Sequence, residues 1–407
     1  MDELEQVFES LFRRCAKGLE GRIPVIPLSG GFDSRAIACM LRKSGVEQAL
    51  CYTYGTKDHW EVNTARKVAS ELGFDWRFVE YDPMLWQRSM ASQGMREYWR
   101  YAFCGTSLPV LTTYPALVAL LQTGDIKEKP VFLPGDLGGV WGGAYCLETL
   151  RDKADYPSGE CCSAYKRIRN SDVVSAVVYR YLNIWPTRKS SWQVAALARV
   201  AEKIEAEVRS YDSYGYDDVV NYMEWAIRNR NALFIVNRQR AHEYFGGDFY
   251  LPFGDHEFID FFRALPLGLL PKKHFYREFL MERVFPESVR QIPFSAGHRR
   301  IKHVKRCVRD YLQLVGLIKH AEHGWRRFRG VRELAAGTWF TQGRAPWNMT
   351  VDDALSPFSI SQHLPVSLLE VVRPLLSQPS YAISHYGLFA AAFLAMMYSE
   401  LGQSRKV

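Results

Sequence analysis

Apolar and polar positions follow a repeating order over the first eighty residues. MDELEQVFESLFRRCAKGLEG opens the chain with acidic, apolar and basic positions at helical spacing, which predicts an amphipathic helix over residues 1–20. IPVIPL (23–28) is an unbroken apolar run and reads as a buried strand. DSRAIACMLRKSGV (33–46) follows at the helical period, and QALCYTYG (48–55) is a second short apolar and aromatic run. EVNTARKVASELGF (61–74) predicts a helix with Ala65, Val68 and Leu72 on one face and Gly73 as its stop. WRFVEYDP (76–83) reads as a third strand. Strand, helix, strand, helix, strand in this order predicts an α/β fold with a parallel, doubly wound sheet.

Further on, residues 84–128 read as mainly helical, and PVFLPGDLGGVWGGAY (130–145) is a fourth apolar run ending in a glycine-rich turn. Beyond residue 165 the pattern is predominantly helical, broken by a loop-like segment, FGGDFYLPFGDHEF (245–258). YGLFAAAFLAMMYSELG (386–402) is very apolar, but its unbroken run falls well short of the ~20 residues of a membrane span. A buried core helix is expected there, with membrane association the lesser alternative.

Composition narrows the class. With 47% hydrophobic and 24% charged residues over 407 positions, the chain is an ordinary globular sequence with room for two or three structural units. A net charge of +8 permits an anionic substrate. No basic low-complexity tail accompanies it, so nucleic acid is not indicated. The densest basic stretches, HRRIKHVKRCVRD (298–310) and WRRFRGVR (325–332), carry interleaved aromatics but equally fit solvated helix faces. The eight cysteines, at 15, 39, 51, 104, 146, 161, 162 and 307, form no C-x-x-C pair and no zinc spacing. That usage fits a reduced, cytoplasmic setting, and the amphipathic N-terminus is not a signal peptide.

The chemistry concentrates at residues 28–34, LSGGFDS, where the first strand meets the following helix. Open α/β sheets bind ligands at such carboxyl ends of strands. Gly30 and Gly31 let backbone N–H groups approach an anion, the helix N-terminus adds positive potential, and Ser29 and Ser34 supply hydroxyls. An aspartate inside a phosphate cradle calls for a cation, so Asp33 suggests Mg2+. The turn is neither G-x-x-x-x-G-K-[ST] nor G-x-G-x-x-G.

LSGGFDSR resembles the pyrophosphate-binding SGGxDS loop of the ATP pyrophosphatase (PP-loop) superfamily. CYTYGTKDHWEVNTARKVASELGF is similar to the second strand and helix of its asparagine synthetase-like branch, where the chain passes the adenine, so Tyr54 is a nucleotide candidate. LPGDLGGVWGGAY occupies the position of that branch's second glycine-rich loop, with Gly135 as a nucleotide candidate, and NRQRAHEYFGGDFYLPFGDHEFIDFFRALP resembles its later P-F-x-D segment. The resemblance spans roughly residues 20–290 and is nearest to stand-alone members of surface-polysaccharide gene clusters. It implies one domain over 1–290, a helical portion over 291–407, no N-terminal glutaminase, and ATP and Mg2+ as cofactors. It further implies a ligase in which a carboxylate attacks the α-phosphorus, pyrophosphate leaves, and ammonia displaces AMP to give an amide. The acceptor would be a uronic acid of an O-antigen or capsule precursor, or aspartate, with ammonia free or from a separate glutaminase.

Departures from the pattern mark the second half of the site. The family's metal-binding acid in the second loop falls at Gly139, with Asp136 three residues earlier as a substitute metal ligand. The family's general base falls at Asp248, and the arginine two positions on is Tyr250. A lysine expected after PESVR is absent, with Arg299, Arg300 and Lys302 a little later. A nucleotide-binding scaffold without catalysis is therefore the alternative to a ligase. Glu61 reads as a first-turn acid or a substrate contact, Asp255 as a helix cap, and His242 and His256 as structural or surface residues. Arg228, Arg230, Arg238 and Arg240 fit either an anion site or an exposed basic face. Cys161 and Cys162 have no visible role.

Overall fold

The computed structural model describes residues 1–57, 59–103, 107, 109–127, 129–146, 173–177, 191–212 and 218–294. The anticipated apolar helix at 386–402, both basic stretches, Cys161, Cys162, Arg299, Arg300, Lys302 and all but the first four residues of the 291–407 portion lie outside the described residues.

Five parallel strands form one sheet: β1 (Pro24–Pro27), β2 (Leu50–Gly55), β3 (Asp75–Glu80), β4 (Val131–Phe132) and β5 (Asp248–Phe249), in the order β3-β2-β1-β4-β5. Between the strands run α1 (Asp2–Gly18, before β1), α2 (Phe32–Lys43), α3 (Trp60–Glu71), α4 (Pro83–Ala91), α5 (Gln93–Phe103) and α6 (Tyr114–Gln122). Strand residues alternate between two cores. Ile26, Cys51 and Val131 join residues of α1, α2 and α3 on one face, while Val25, Leu50, Tyr52 and Phe132 join α4, α5 and α6 on the other. Helices therefore cover both faces, which is why the central strands β1 and β2 are predominantly apolar. The chain forms an α/β fold with a doubly wound parallel sheet. β3 sits at an edge and shows it, with only Val79 of its six residues fully buried.

Local chemistry sets the element ends. In α1, Leu4, Phe8, Leu11, Phe12 and Cys15 recur at helical spacing and are buried. Phe8 packs its ring 4.8 Å from Phe279 and 5.6 Å from Phe258, so truncating it would cost about 3–5 kcal/mol. α2 stops at Gly45 (φ 88°) and α3 at Gly73 (φ 68°), where the left-handed conformation lets the chain turn back. Phe74 N–H then closes α3 onto the Ala69 carbonyl at 2.9 Å.

Two strands differ from the sequence expectation. β4 holds two residues of the 130–145 apolar run, because the chain breaks at Pro134 and turns, then forms a π-helical turn over Val140–Ala144. β5 lies inside the segment expected to be a loop. Two residues are too few to show a period, yet Asp248 N–H bonds the Pro130 carbonyl and Tyr250 N–H the Phe132 carbonyl. The described helices farther along the chain include Ser191–Arg209, Asp218–Trp225, His256–Ala264 and His274–Phe279. Asp255 does cap His256–Ala264, accepting from Glu257 N–H at 3.0 Å.

Candidate nucleotide site

The strand order reverses between β1 and β4: β2 lies on one side of β1 and β4 on the other. Loops leaving these two strands diverge, and the crevice between them is where open α/β sheets take ligands. A cavity of about 250 Å³ lies there, walled by Leu28, Ser29, Gly31, Asp33 and Ser34 of the first loop and Pro134, Gly135 and Asp136 of the second. Tyr54, His59, Glu61 and Arg238 complete it. A larger groove of about 910 Å³ opens at the opposite, amino end of the strands, around Arg22, Arg77 and Lys129, far from the carboxyl ends where this topology places chemistry.

The first loop is built by its own side chains. Ser34 Oγ accepts Ser29 N–H at 3.1 Å and lies 3.1 Å from Ser29 Oγ, which in turn accepts Gly31 N–H at 3.2 Å. Gly31 is the N-cap of α2 and supplies no capping side chain. The first-turn N–H groups thus face the crevice without an intrahelical acceptor, and the helix dipole adds partial positive charge. A plain turn does not need this arrangement; an anion does. The second loop presses against it. A Cβ on Gly135 would come 2.6 Å from Ser34 N, so only glycine allows the two loops to meet. Leu28, buried behind the loop, donates its N–H to the Tyr52 carbonyl and accepts from Thr53 Oγ1 at 2.8 Å.

Both aspartates of the site face protein donors, and Glu61 lies against a histidine. Asp33 Oδ2 accepts Gly139 N–H at 2.9 Å. Burial pushes its carboxyl pKa up, and the nearby Lys273 charge opposes that shift. Asp136 accepts from Gln239 Nε2 at 2.6 Å and lies 3.4 Å from the Arg238 guanidinium. Glu61 is pushed up by burial and sits 3.6 Å from His59 Nδ1, whose own pKa burial lowers. Neither His59 ring nitrogen has a hydrogen-bond partner, although the side chain is only 5% exposed. Tyr54, half-buried, stacks 5.2 Å from Tyr81 and lies 3.2 Å from Thr113 Oγ1 through its hydroxyl.

The structure brings together Leu28, Ser29, Gly31, Asp33, Ser34, Tyr54, Gly135 and Asp136, with Gly30 between the serines. It does not bring Asp248 to them. Asp248 opposes Val131, the first residue of β4, and its carboxylate pairs with Arg22 at 2.7 Å in exposed surroundings at the amino end of the sheet. That placement removes it from the general-base role expected for it. The expected magnesium fares poorly as well. Asp33 and Asp136 already point at N–H groups and cations, and the described residues hold no cluster of three candidate metal ligands. A magnesium ion at a phosphate site needs only one or two carboxylates, but the position of the family's metal-binding acid is Gly139, and both remaining acids are engaged by protein donors, so the residues present do not fit it.

Sequence reasoning missed two cations. Lys273 reaches the site from a turn before the His274–Phe279 helix, and no local pattern distinguishes it from a surface lysine. Arg35, the residue after the S-G-G-F-D-S run, is fully buried and stacks 3.6 Å from the Phe294 ring. It donates to the carbonyls of Ile292 at 2.9 Å, Pro293 at 3.2 Å and Gly30 at 3.3 Å, tying the loop to a segment 250 or more residues away. An arginine at a position that helical spacing makes buried was the available signal. Of the four arginines weighed between 228 and 240, Arg238 lines the cavity.

Fold and site together define an α/β domain with a glycine-lined cavity at the reversal of its strand order. Residues 12–86, from within α1 through β3 into α4, match the family model of asparagine synthase. The match supports an asparagine synthetase-like synthetase domain and an ATP-dependent amide-forming ligase family. No curated protein matches the chain. No described helix is long and apolar enough to cross a membrane.

Proposed function

We propose that the protein is an ATP-dependent ligase that activates a carboxylate as its adenylate and converts it to an amide. The observation that supports this most is the pair of loops at the strand-order reversal, with Ser29, Gly31 and Ser34 lining the cavity and Gly135 held against Ser34. The first loop and the start of α2 would hold the pyrophosphate portion of ATP, and the tyrosine-rich end of β2, including Tyr54, the adenosine. Arg238, the guanidinium in the cavity, would hold the acceptor carboxylate.

In the first half-reaction a carboxylate oxygen bonds to the α-phosphorus while the bond to the bridging oxygen breaks, releasing pyrophosphate. In the second, ammonia bonds to the acyl carbon, AMP departs with the electron pair of the C–O bond, and ammonia's extra proton goes to a base. Asp136, which lines the cavity, is proposed to take it in place of Asp248. Catalysis on this scheme is mainly positioning and charge neutralisation. The acceptor is proposed to be a uronic acid of a glycan precursor, with aspartate second, in a cytoplasmic setting and with ammonia supplied free or by a partner glutaminase. Residues 1–290 would constitute the nucleotide-binding domain.

Product analysis tests the reading. Protein incubated with ATP, magnesium, ammonium and a panel of carboxylic acids should yield AMP and pyrophosphate with one acid, and Asp33→Ala should abolish this. ADP and phosphate as products would overturn the mechanism. ATP binding without turnover on any acid would favour the nucleotide-binding scaffold instead.

A further inference from the structure

At the join of the two loops, a Cβ on Gly139 would collide with the Lys273 ammonium and lie 3.1 Å from Asp33 Oδ2. The space a side chain would fill at 139 is therefore taken by a cation from elsewhere in the chain. The backbone is strained to place it. Lys272 and Lys273 both adopt left-handed φ, 55° and 60°, in consecutive positions, a conformation that costs a non-glycine residue about 1–2 kcal/mol each. Paired strain of this kind persists where the surroundings over-determine it, and it clusters at ligand clamps. The His274–Phe279 helix begins directly after Lys273 and buries Tyr276 and Phe279, so the lysine is anchored from one side. Arg238 provides a parallel case: it lines the cavity and stands 3.4 Å from Asp136, as Lys273 stands beside Asp33.

We infer that Lys273 is the resident cation of the phosphate site, so that the loop binds pyrophosphate groups without a divalent metal ion. This rests on the nucleotide reading above and adds to it a residue and a cation requirement. Asp33, beside the Lys273 charge and bonded to Gly139 N–H, acts as a positioning residue that holds the ammonium toward the loop. A bound pyrophosphate would take over part of that ion pairing, and the charge the anion needs is supplied by the chain.

Calorimetric titration of the full chain with inorganic pyrophosphate, in excess EDTA and again in excess magnesium chloride, tests this. Wild type should bind in both, with affinities within about tenfold of each other. Lys273→Met, checked for an unchanged melting temperature, should lose at least about tenfold in EDTA. If wild type binds only with magnesium, the inference fails while the nucleotide reading stands. Equal binding by wild type and a folded Lys273→Met in EDTA also overturns it. Absence of binding in both buffers would remove the nucleotide reading and the inference with it. The EDTA comparison on wild type needs no variant, so misfolding of Lys273→Met leaves the central claim testable.

Discussion

The two glycine-rich loops of the cavity look alike in sequence and do different work. In the first, S-G-G-F-D-S at 29–34, Gly31 lines the cavity, and a Cβ there would meet only Ser29 Oγ at 3.2 Å. In the second, P-G-D-L-G-G-V-W-G-G at 134–143, glycines press against other chain. Gly135 abuts Ser34, Gly139 leaves space for Lys273, and Gly143 lies against the Leu270 carbonyl at φ 110°. In the first loop Gly31 is open toward a ligand while Gly30 is closed by the Trp60 ring, 2.6 Å from where its Cβ would stand; in the second, these three glycines are all closed against protein. Glycine density alone thus does not identify a phosphate cradle; what a missing Cβ would touch does.

The sharpest way to break this comparison is Gly143→Ala. A methyl there meets a backbone carbonyl and forces alanine into left-handed φ, so a loss of about 3 kcal/mol or more is expected. Chemical denaturation would measure it. A stability change under about 1 kcal/mol would mean the second loop is not closed as described.

Arg35→Met asks whether the first loop depends on distant packing as the second does. It would leave the carbonyls of Gly30, Ile292 and Pro293 without their buried donor, costing about 2–4 kcal/mol. Pyrophosphate affinity should fall with stability, because Gly30 belongs to the cradle. Unchanged affinity in a destabilised variant would show that the loop holds its shape through its serines alone.

Acid should weaken the support behind the second loop. His242 stacks 4.1 Å from the Phe132 ring, and neither ring nitrogen has a hydrogen-bond partner. Burial first, and the Arg238 charge second, lower its pKa to about 3. The unfolded chain takes up this proton near pH 6.5 and the folded chain resists it, so its contribution to stability is complete above about pH 6.5. It is lost as pH falls from there toward 3, by up to about 1.4 kcal/mol per unit. Denaturation at several pH values should show this slope in wild type and a shallower one in His242→Gln. Identical slopes would locate the acid sensitivity elsewhere.

How much of this could be read from residues alone depends on the range of the interaction. The sheet and its flanking helices were legible because alternation and helical spacing are local, and Gly73 ends α3 as its position suggested. The first loop was legible for the same reason: six consecutive residues make its hydrogen bonds. β5 was hidden by its two-residue length, and Lys273 and Arg35 by contacts that cross more than a hundred residues. Asp248 was misplaced by strand register, since its pairing opposite Val131 sets which end of the sheet it occupies.

Gly31→Ala is the counterpart of Gly143→Ala and should reverse its pattern. At φ −79° and ψ 176° alanine is accommodated, so stability should change by less than about 1 kcal/mol. The added methyl would stand at the approach to the loop and lower pyrophosphate affinity about tenfold. Calorimetry beside a thermal melt separates the two quantities. A variant that loses stability but keeps its affinity would place Gly31 with the packing glycines.

The smallest effect belongs to Asp248→Asn. Its carboxylate is 72% exposed and its partner Arg22 is partly exposed, so the pair is screened and worth about 0–1 kcal/mol despite a 2.7 Å separation. Asn keeps the shape and the strand pairing, which uses the Asp248 N–H. Release of AMP and pyrophosphate should therefore be unchanged within about twofold, whereas Asp136→Asn in the cavity should lose at least about a hundredfold as the proton acceptor. If instead Asp248→Asn is the inactive one, β5 must slide along β4 to carry its carboxylate toward the crevice. The register that separates the two ends of this sheet would then be wrong, and the division between a ligand-facing and a protein-facing loop would have to be redrawn with it.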